Sequence, residues 1–304
     1  MATNTLGGIN LAQIAQDSLD FLGHKFMPLR AFARNFSTDI AIQGESVTTR
    51  IVSGYTAQDL SSGYASAAQN STSTSVKVDL DQFKGVPIEF TDLEVTKAGD
   101  LAWLRNQFVA PVLDAVCDDI MQYLFGLCLT ANFTNETDTT PALFDSDELA
   151  DIGGALTTLK VPYSERSAIL LPTFYTNLIK DAVIEDASAS GSTDAIIEGK
   201  FKRARGFDLY EYASVPDLGA ENLRGVLLHP SALAMAARTI ADPTDENLGA
   251  PLEVENVIEP NTGLPLQYRY WYSPDSGKAY FSVGLRYGAS VGQANSMHRI
   301  VDNS

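Results

Sequence analysis

The chain has few cysteines, few histidines and few charged side chains for its length. Its 304 residues include 2 cysteines and 3 histidines, and 19% are charged, below the usual ~25%. Cys117 and Cys128 lie in one predicted helix, about 16 Å apart, which is too far for a disulfide. We therefore expect two buried thiols in a reducing compartment. The scattered histidines, His24, His229 and His298, show no metal-ligand spacing, so we expect no metal site.

Several sequence signals of membrane insertion and cofactor binding are also missing. No apolar run is long enough to cross a bilayer, and the N-terminal residues lack the basic and apolar regions of a signal peptide. The chain contains neither G-x-G-x-x-G nor a Walker A lysine, the two glycine-rich patterns that hold nucleotide phosphates. We therefore expect no membrane association and no cofactor.

Positive charge is scarce as well. The net charge is −17 and the isoelectric point is about 4.4, whereas proteins that hold nucleic acid by direct contact are basic. An acidic protein can still enclose nucleic acid, because like charge keeps the polymer from adhering to the wall. The low charged fraction leaves a surface of uncharged polar and small side chains, which suits extensive protein contacts.

Residues 38–97 have the alternating pattern of a long two-stranded hairpin. Apolar side chains alternate with polar ones on the way out, on the way back, and in a second short run that leads into a helix: Val47, Thr49, Ile51; Val76, Val78, Leu80; Val86, Ile88, Phe90. The Ser-rich stretch 61–75 between the arms offers little to bury. A lone ribbon is marginal in water. We therefore predict an arm with nothing of its own subunit beside it, completed by another copy of the protein.

A long amphipathic helix is predicted over residues 98–129. Two neighbouring apolar rows repeat at intervals of three and four: Leu101, Leu104, Phe108, Val112, Val116, Ile120, Leu124; and Val109, Leu113, Cys117, Met121, Phe125. Pro111 lies inside this helix, and we expect it to kink or divide the helix there. Part of the predicted solvent-exposed face of this helix is marked by Asp114, Asp118 and Asp119.

The remaining segments predict a mixed α/β unit followed by long antiparallel strands. Asp145 and Glu148 resemble a capping box at the start of a helix. We predict further helices over 173–184 and from Pro230 through Ile240, strands over 168–171, 207–212 and 226–228, and mostly strands from 252 onward. A short, imperfect helical pattern over 9–22 precedes an extended segment over 26–36. The fold class predicted from this order is α+β.

One motif suggests catalysis. Gly288–Gly292 matches the G-x-S-x-G nucleophile elbow around Ser290, which requires a strand, a sharp turn and a helix. Only twelve residues separate Gly292 from the end of this sequence, and His298 precedes Asp302, the reverse of the usual order. The structural interpretation, small residues in a packed strand, is favoured over a serine hydrolase.

The charged clusters have competing interpretations. Lys200, Lys202, Arg203 and Arg205 form a basic cluster that could bind phosphate, but pairing with acidic surfaces of the same or a neighbouring subunit is favoured in so acidic a chain. The side chains predicted to contact other subunits are Arg50, Tyr55, Tyr64, Lys77, Asp79, Asp81, Lys200, Lys202, Arg203 and Arg205. The acids at 145, 147 and 148 are interpreted as helix capping rather than a calcium site, because the EF-hand pattern is absent.

The order of these segments resembles the major capsid protein of tailed bacteriophages, the Hong Kong 97-like fold that encapsulins share. Four stretches also look familiar: Val78–Glu94, Val161–Pro172, Gly199–Tyr210 and His229–Arg238. The resemblance implies an N-terminal arm (1–37), an extended β-hairpin loop (38–97), a peripheral domain with a spine helix (98–143 and about 251–304) and an axial α/β domain (144–250). It covers residues 10–295 or so and rests on architecture, since no single motif is diagnostic.

The resemblance also implies a function. The expected role is a non-enzymatic shell subunit that forms pentamers and hexamers in the virion, made in the bacterial cytoplasm. Expected partners are a separate scaffolding protein, a portal, a decoration protein and enclosed double-stranded DNA. The alternative is an encapsulin-like compartment with protein cargo. No lysine lies between Lys25 and Lys77, so the hairpin tip lacks the donor that some family members use for a covalent crosslink.

Overall fold

The computed structural model describes residues 25–40, 46–52, 57–61, 63–64, 68, 73–98, 101–181, 203–240 and 252–303. The α+β fold predicted from the sequence is confirmed, with strands and helices distributed along the whole described chain. Its strands are β1 (Ala33–Ile40), β2 (Ser46–Val52), β3 (Ser73–Asp79), β4 (Gln82–Thr91), β5 (Glu136–Asp138), β6 (Ser167–Leu170), β7 (Arg203–Ala204), β8 (Phe207–Glu211), β9 (Leu223–Leu228), β10 (Leu233–Thr239), β11 (Leu252–Ile258), β12 (Pro265–Ser273), β13 (Lys278–Val291) and β14 (Met297–Val301). Its α-helices are α1 (Asp92–Ala98), α2 (Leu101–Phe125), α3 (Ser146–Thr158) and α4 (Pro172–Ile179).

The first sheet is built around β13. Lys278–Gly284 of this strand pair with both β4 and β12, so those two strands occupy opposite edges. Arg286 and Tyr287 pair with both β4 and β10, which places β10 on the same edge as β12, further along β13. The sheet is completed by β11 beside β12 and by β1, which is parallel to β10. The pairs β1–β10 and β4–β13 thereby join strands that are more than 150 residues apart in the chain.

The prediction of a helix from Pro230 through Ile240 is wrong. Pro230–Ala232 form a short 3₁₀ turn, and the rest is strand β10, which pairs with both β1 and β13. Leu233, Met235 and Ala237 are buried. Alanine and methionine favour helices locally, but two flanking strands supply backbone partners on both sides, and that tertiary pairing overrides a weak local preference.

The second sheet has the order β5-β14-β9-β6-β8-β7. Its helices α3 and α4 cover one face, with Leu149, Leu156 and Phe174 fully buried against it. Asp145 caps α3, because its side chain accepts hydrogen bonds from the backbone N–H groups of Asp147 and Glu148, both at 3.0 Å. The predicted helix start is confirmed, and the capping interpretation of these acids holds for Asp145.

Helix α2 lies in the core that both sheets share. Val112, Val116 and Ile120 of the first predicted row are buried, and so is the entire second row; Phe108 alone among the described members is exposed, at 43%. The helix continues through Pro111 without a division. The face of α2 predicted to be exposed to solvent makes contacts within the subunit, because Tyr212 donates a hydrogen bond to Asp118 and Tyr287 donates one to Asp119.

The ribbon of β2 and β3 is a two-stranded sheet of its own, but the predicted arm over 38–97 is shorter than expected. The third alternating run, which includes Val86 and Phe90, is strand β4 of the first sheet. The base of the ribbon also packs on its own subunit, where Val78 and Leu80 are buried with Ala236. The expectation that nothing lies beside the arm is therefore wrong for its base.

Both cysteines are buried and free. Burial raises the pKa of each thiol to about 12, so both are inert apolar groups at neutral pH, as predicted. Among the described residues, no helix combines the length and the apolar character needed to cross a membrane. The predicted helical pattern over 9–22 lies outside the described residues, and the division into four domains stays a prediction.

Candidate assembly surface

The base of the ribbon is fixed by a close backbone contact. A Cβ atom added at Gly288 of β13 would lie 1.8 Å from the carbonyl oxygen of Asp79, a distance no side chain tolerates. The Arg286 Nε–H donates a 2.7 Å hydrogen bond to the Leu80 carbonyl. The ribbon therefore starts from a defined position on the first sheet, and a glycine is required there.

The outer face of the ribbon carries charged side chains that are exposed to solvent. Lys77 and Asp79 form an ion pair of 2.6 Å in which each side chain is 58% exposed. Val76 and Val78, on the opposite face, are buried. An exposed pair of this kind contributes only about 0–1 kcal/mol to folding, so these charges are free to serve contacts with another molecule.

The described part of the ribbon tip exposes large apolar side chains. Tyr64 is 80% exposed and Leu60 is 47% exposed. Asp59 accepts a 2.9 Å hydrogen bond from the Ser61 backbone N–H, and its bonds to Ser61 hold the pKa of the Asp59 carboxyl below its usual range. The tip thus presents a tyrosine and a leucine on a hydrogen-bonded turn, without apolar cover from the described residues.

Exposed apolar side chains also lie on β4 and on α1, although they do not form one patch, because Phe83 and Phe90 are seven residues apart and lie on opposite faces of β4. Phe83 is 65% exposed and Leu93 is 63% exposed. Phe90 and Phe108 stack at a tilt with 5.5 Å between ring centroids, and they line a shallow cavity of about 390 Å³. Within the described chain, β4 pairs with β13 alone, so its other edge offers unpaired backbone groups. An edge strand with apolar neighbours is a site where another chain can bind.

The predicted contact residues do not form one site. Arg50 lies in β2 opposite Ser75, and Asp81 accepts a 3.2 Å hydrogen bond from Tyr123. Arg203 faces Asp208 at 3.7 Å and Arg205 faces Asp147 at 3.6 Å, so both described members of the basic cluster have acidic partners in their own subunit. Tyr55, Lys200 and Lys202 lie outside the described residues. The role of all ten in subunit contacts stays a prediction.

The structure contains a buried arginine, Arg299, that no sequence pattern predicts. The side chain of Arg299 is fully buried and pairs with Glu136 at 2.7 Å and with Glu221. Hydrogen bonds from Thr130, and then the Arg299 charge, hold the pKa of the Glu221 carboxyl below its usual range. These partners lie 163 and 78 residues away in the chain, and no local pattern identifies such a pairing.

The nucleophile-elbow motif does not have elbow geometry. Ser290 lies inside β13, paired opposite Ala234 of β10. A nucleophile elbow places the serine itself on a sharp turn between a strand and a helix. Ser290 is still part of the extended strand β13, and only a single 3₁₀ turn, Ala294–Ser296, lies between β13 and β14. The interpretation as a packed strand is confirmed. Among the described residues, no group of three or more His, Cys, Asp or Glu side chains is arranged to hold a metal ion.

Comparison with solved structures identifies the architecture. The protein from Mycobacterium phage Che8 shares 17% identity at a TM-score of 0.55, covering 99% of this chain and 95% of that one. The capsid structure of the cyanophage P-SCSP1u gives 11% identity and a TM-score of 0.61, covering 90% and 87%. A virus-like particle from Pyrococcus furiosus gives 11% identity and a TM-score of 0.51, covering 96% and 100%.

The chain has the phage capsid fold. No protein-family description and no curated protein sequence matches it, so at these identities the likeness is one of architecture. Within this capsid fold, the ribbon tip and the exposed edge of β4 are the described surfaces best suited to contacts between subunits.

Proposed function

We propose that this chain is the structural subunit of an icosahedral shell that encloses a phage genome. The observation that carries the proposal is a capsid fold from which a two-stranded ribbon extends, with Tyr64 and Leu60 exposed at its tip. A ribbon of this size is marginal by itself, and exposed large apolar side chains gain free energy when a partner covers them. The neighbouring subunit in a closed ring supplies that cover.

The mechanism is geometric and needs no catalytic group. The ribbon of one copy lies over the body of the next, and the same contact recurs around pentamers and hexamers because closed symmetry repeats each interface. The net charge of −17 suits a wall that encloses double-stranded DNA without binding its sequence. The same proposal includes three partner proteins, namely a separate scaffolding protein, a portal and a decoration protein. It also includes membership of the Hong Kong 97-like family, synthesis in the host cytoplasm and location in the virion.

The alternative is an encapsulin-like compartment, which the likeness to the virus-like particle from Pyrococcus furiosus keeps as a second candidate. The two functions differ in content, since a phage shell contains DNA and a compartment contains protein.

The test is expression of the protein alone and with candidate scaffolding proteins, followed by sedimentation and electron microscopy. We expect closed particles of megadalton size, and nuclease-protected DNA in particles purified from phage-producing cells. A stable monomer under every assembly condition would overturn the shell function. Particles filled with a protein cargo and free of DNA would favour the compartment.

A further inference from the structure

A cleft between residues 30–36 and both sheets contains two arginines, Arg30 and Arg34, that have no ion-pair partner among the described residues. Its volume is about 600 Å³. Arg30 and Arg34 line one side, next to Thr262, while Glu165 and Asp208 line the cleft from the second sheet. Both arginines are exposed to solvent, so a group from another molecule can reach them.

Among the described residues, few partners accept hydrogen bonds from the two arginines. The Arg30 Nε–H donates a 2.9 Å bond to the Asn261 carbonyl, and Arg34 Nη1 donates a 2.8 Å bond to the Thr262 carbonyl. Each guanidinium has five donors. Among the described residues, neither arginine has a carboxylate within 4 Å, whereas Arg203, Arg224 and Arg299 each have one. The chain has 38 acidic and 21 basic residues, so carboxylates on another copy are in excess over basic groups.

The turn that holds these arginines is rigidly built. Glu259 is fully buried, and its carboxylate accepts 3.0 Å bonds from the backbone and side chain of Asn261 and 2.5 Å bonds from the backbone and hydroxyl of Thr262. Gly263 follows with a φ of +81°. The two carbonyls that bind the arginines are therefore fixed, and the guanidinium groups are positioned before any partner binds.

The charges on the two sides of the cleft differ. Burial, and then the nearby charge of Arg30, lowers the pKa of Arg34, whereas Tyr210 and Glu259 act in the opposite direction. The two guanidinium groups therefore repel each other, and the Glu259 carboxylate is already occupied by four hydrogen bonds within its own turn. Asp208 is already engaged by Arg203 at 3.7 Å, and Glu165 lies close enough to His229 to raise the pKa of that ring, against the larger lowering by burial. One side of the cleft thus carries two guanidinium groups that have no carboxylate within 4 Å among the described residues, while the other side carries negative charge.

We propose that this cleft binds one carboxylate side chain of a second copy of the chain, held between the guanidinium groups of Arg30 and Arg34. Guanidinium groups match carboxylates by paired hydrogen bonds. A single carboxylate reaches the positive side without contacting Glu165 and Asp208, whereas a nucleic acid would bring several phosphates against those acids. Every copy supplies acidic side chains in excess. The inference rests on the proposed shell function and adds to it a defined electrostatic contact.

The test compares two double variants of equal charge. Arg30→Gln with Arg34→Gln removes the pair, and Lys160→Gln with Lys180→Gln removes two exposed lysines elsewhere. We expect the arginine variant to raise the protein concentration needed for particle formation by about tenfold or more, the effect of losing ~1.4 kcal/mol per contact. The lysine variant should match the unmodified protein. Circular dichroism checks that each variant is folded. If the double glutamine variant fails to fold, it is replaced by Arg34→Lys, which keeps the positive charge but loses the paired hydrogen-bond geometry.

The outcomes separate this inference from the proposed function. If the unmodified protein forms shells and both variants assemble at its concentration, the cleft is not a subunit contact and the shell function stands. If the arginine variant assembles normally but encloses less DNA, the cleft binds phosphate and the inference is overturned. If the unmodified protein never assembles, the shell function fails and this inference fails with it.

Discussion

The body around α2 and the ribbon of β2 and β3 are stabilised in opposite ways. Ile120 and Leu124 of α2 are completely buried among side chains of both sheets. One face of the ribbon is buried at its base, through Val78 and Leu80, whereas the ribbon tip exposes Tyr64 and Leu60. The body therefore obtains its stability within the subunit, whereas the ribbon tip has apolar surface left over for a partner. A change in the body should act on folding, and a change at the tip should act on assembly.

The largest expected effect is a charge in the middle of α2. Ile120→Asp places a carboxylate at a position with no solvent exposure, and an unpaired buried charge is more costly than the loss of an isoleucine, which alone costs about 2–5 kcal/mol. We expect no soluble folded subunit. Asp151→Asn, on the exposed side of α3, is the control and should yield normal protein. Equal solubility of both variants would show that this side of α2 is not core.

The next effect is a loss of body stability in acid. His298 is 8% exposed, its Nε2 lies 2.8 Å from the Thr137 hydroxyl, and burial lowers its pKa to about 4. The His298 ring binds a proton near pH 6.5 in the unfolded chain but only near pH 4 in the folded protein. The stability that depends on the neutral ring is therefore lost as the pH falls from 6.5 to 4. At about 1.4 kcal/mol per pH unit, the loss by pH 4.5 is about 2–3 kcal/mol.

The measurement is urea unfolding at pH 7 and pH 4.5 for the unmodified protein and for His298→Gln. The variant should lose less stability on acidification, because the titrating ring is gone while its carboxylates still titrate. Lys77→Gln, on the exposed ribbon face, should follow the unmodified protein at both values. An identical loss in all three proteins would contradict the assignment to His298.

A smaller effect is expected where body and ribbon meet. Gly288→Ala introduces a methyl group 1.8 Å from the Asp79 carbonyl, and relief of such overlap typically costs about 1–3 kcal/mol. We expect a lower free energy of unfolding and a displaced ribbon, detectable by faster amide exchange in β3. Gly154→Ala is the matched control, since no atom lies within 4 Å of a Cβ there. Within α3 it should be stabilising by up to ~1 kcal/mol; if both variants behave alike, the close contact does not matter.

The smallest effect on folding is expected at the ribbon tip. Leu60→Ser with Tyr64→Ser should change the free energy of unfolding of the dissociated subunit by less than about 0.5 kcal/mol, because exposed positions contribute little. Particle yield should nevertheless fall, as measured by sedimentation. Leu143→Ser, on the body at 68% exposure, should keep the yield of the unmodified protein. A normal yield from the tip variant would remove the distinction between ribbon and body.

Local patterns in the sequence were sufficient for several elements. The rows of α2 identified its buried side, because a helix brings residues three and four apart onto one face. The alternation around Val78 identified the ribbon, and Asp145 identified the start of α3. The fold class followed from the order of such segments. Each of these depends on residues a few positions apart, where spacing alone fixes geometry.

Tertiary structure decided what those elements contact. Residues 233–239 became a strand because β1 and β13 flank them, and the run from Val86 to Phe90 left the arm because β13 pairs with it. The pairing of Arg299 with Glu136 and the cleft at Arg30 and Arg34 also join residues more than 130 positions apart. Strand partners and ion pairs depend on which distant segments meet. Spacing along the chain does not determine that meeting, and only the packed fold determines it.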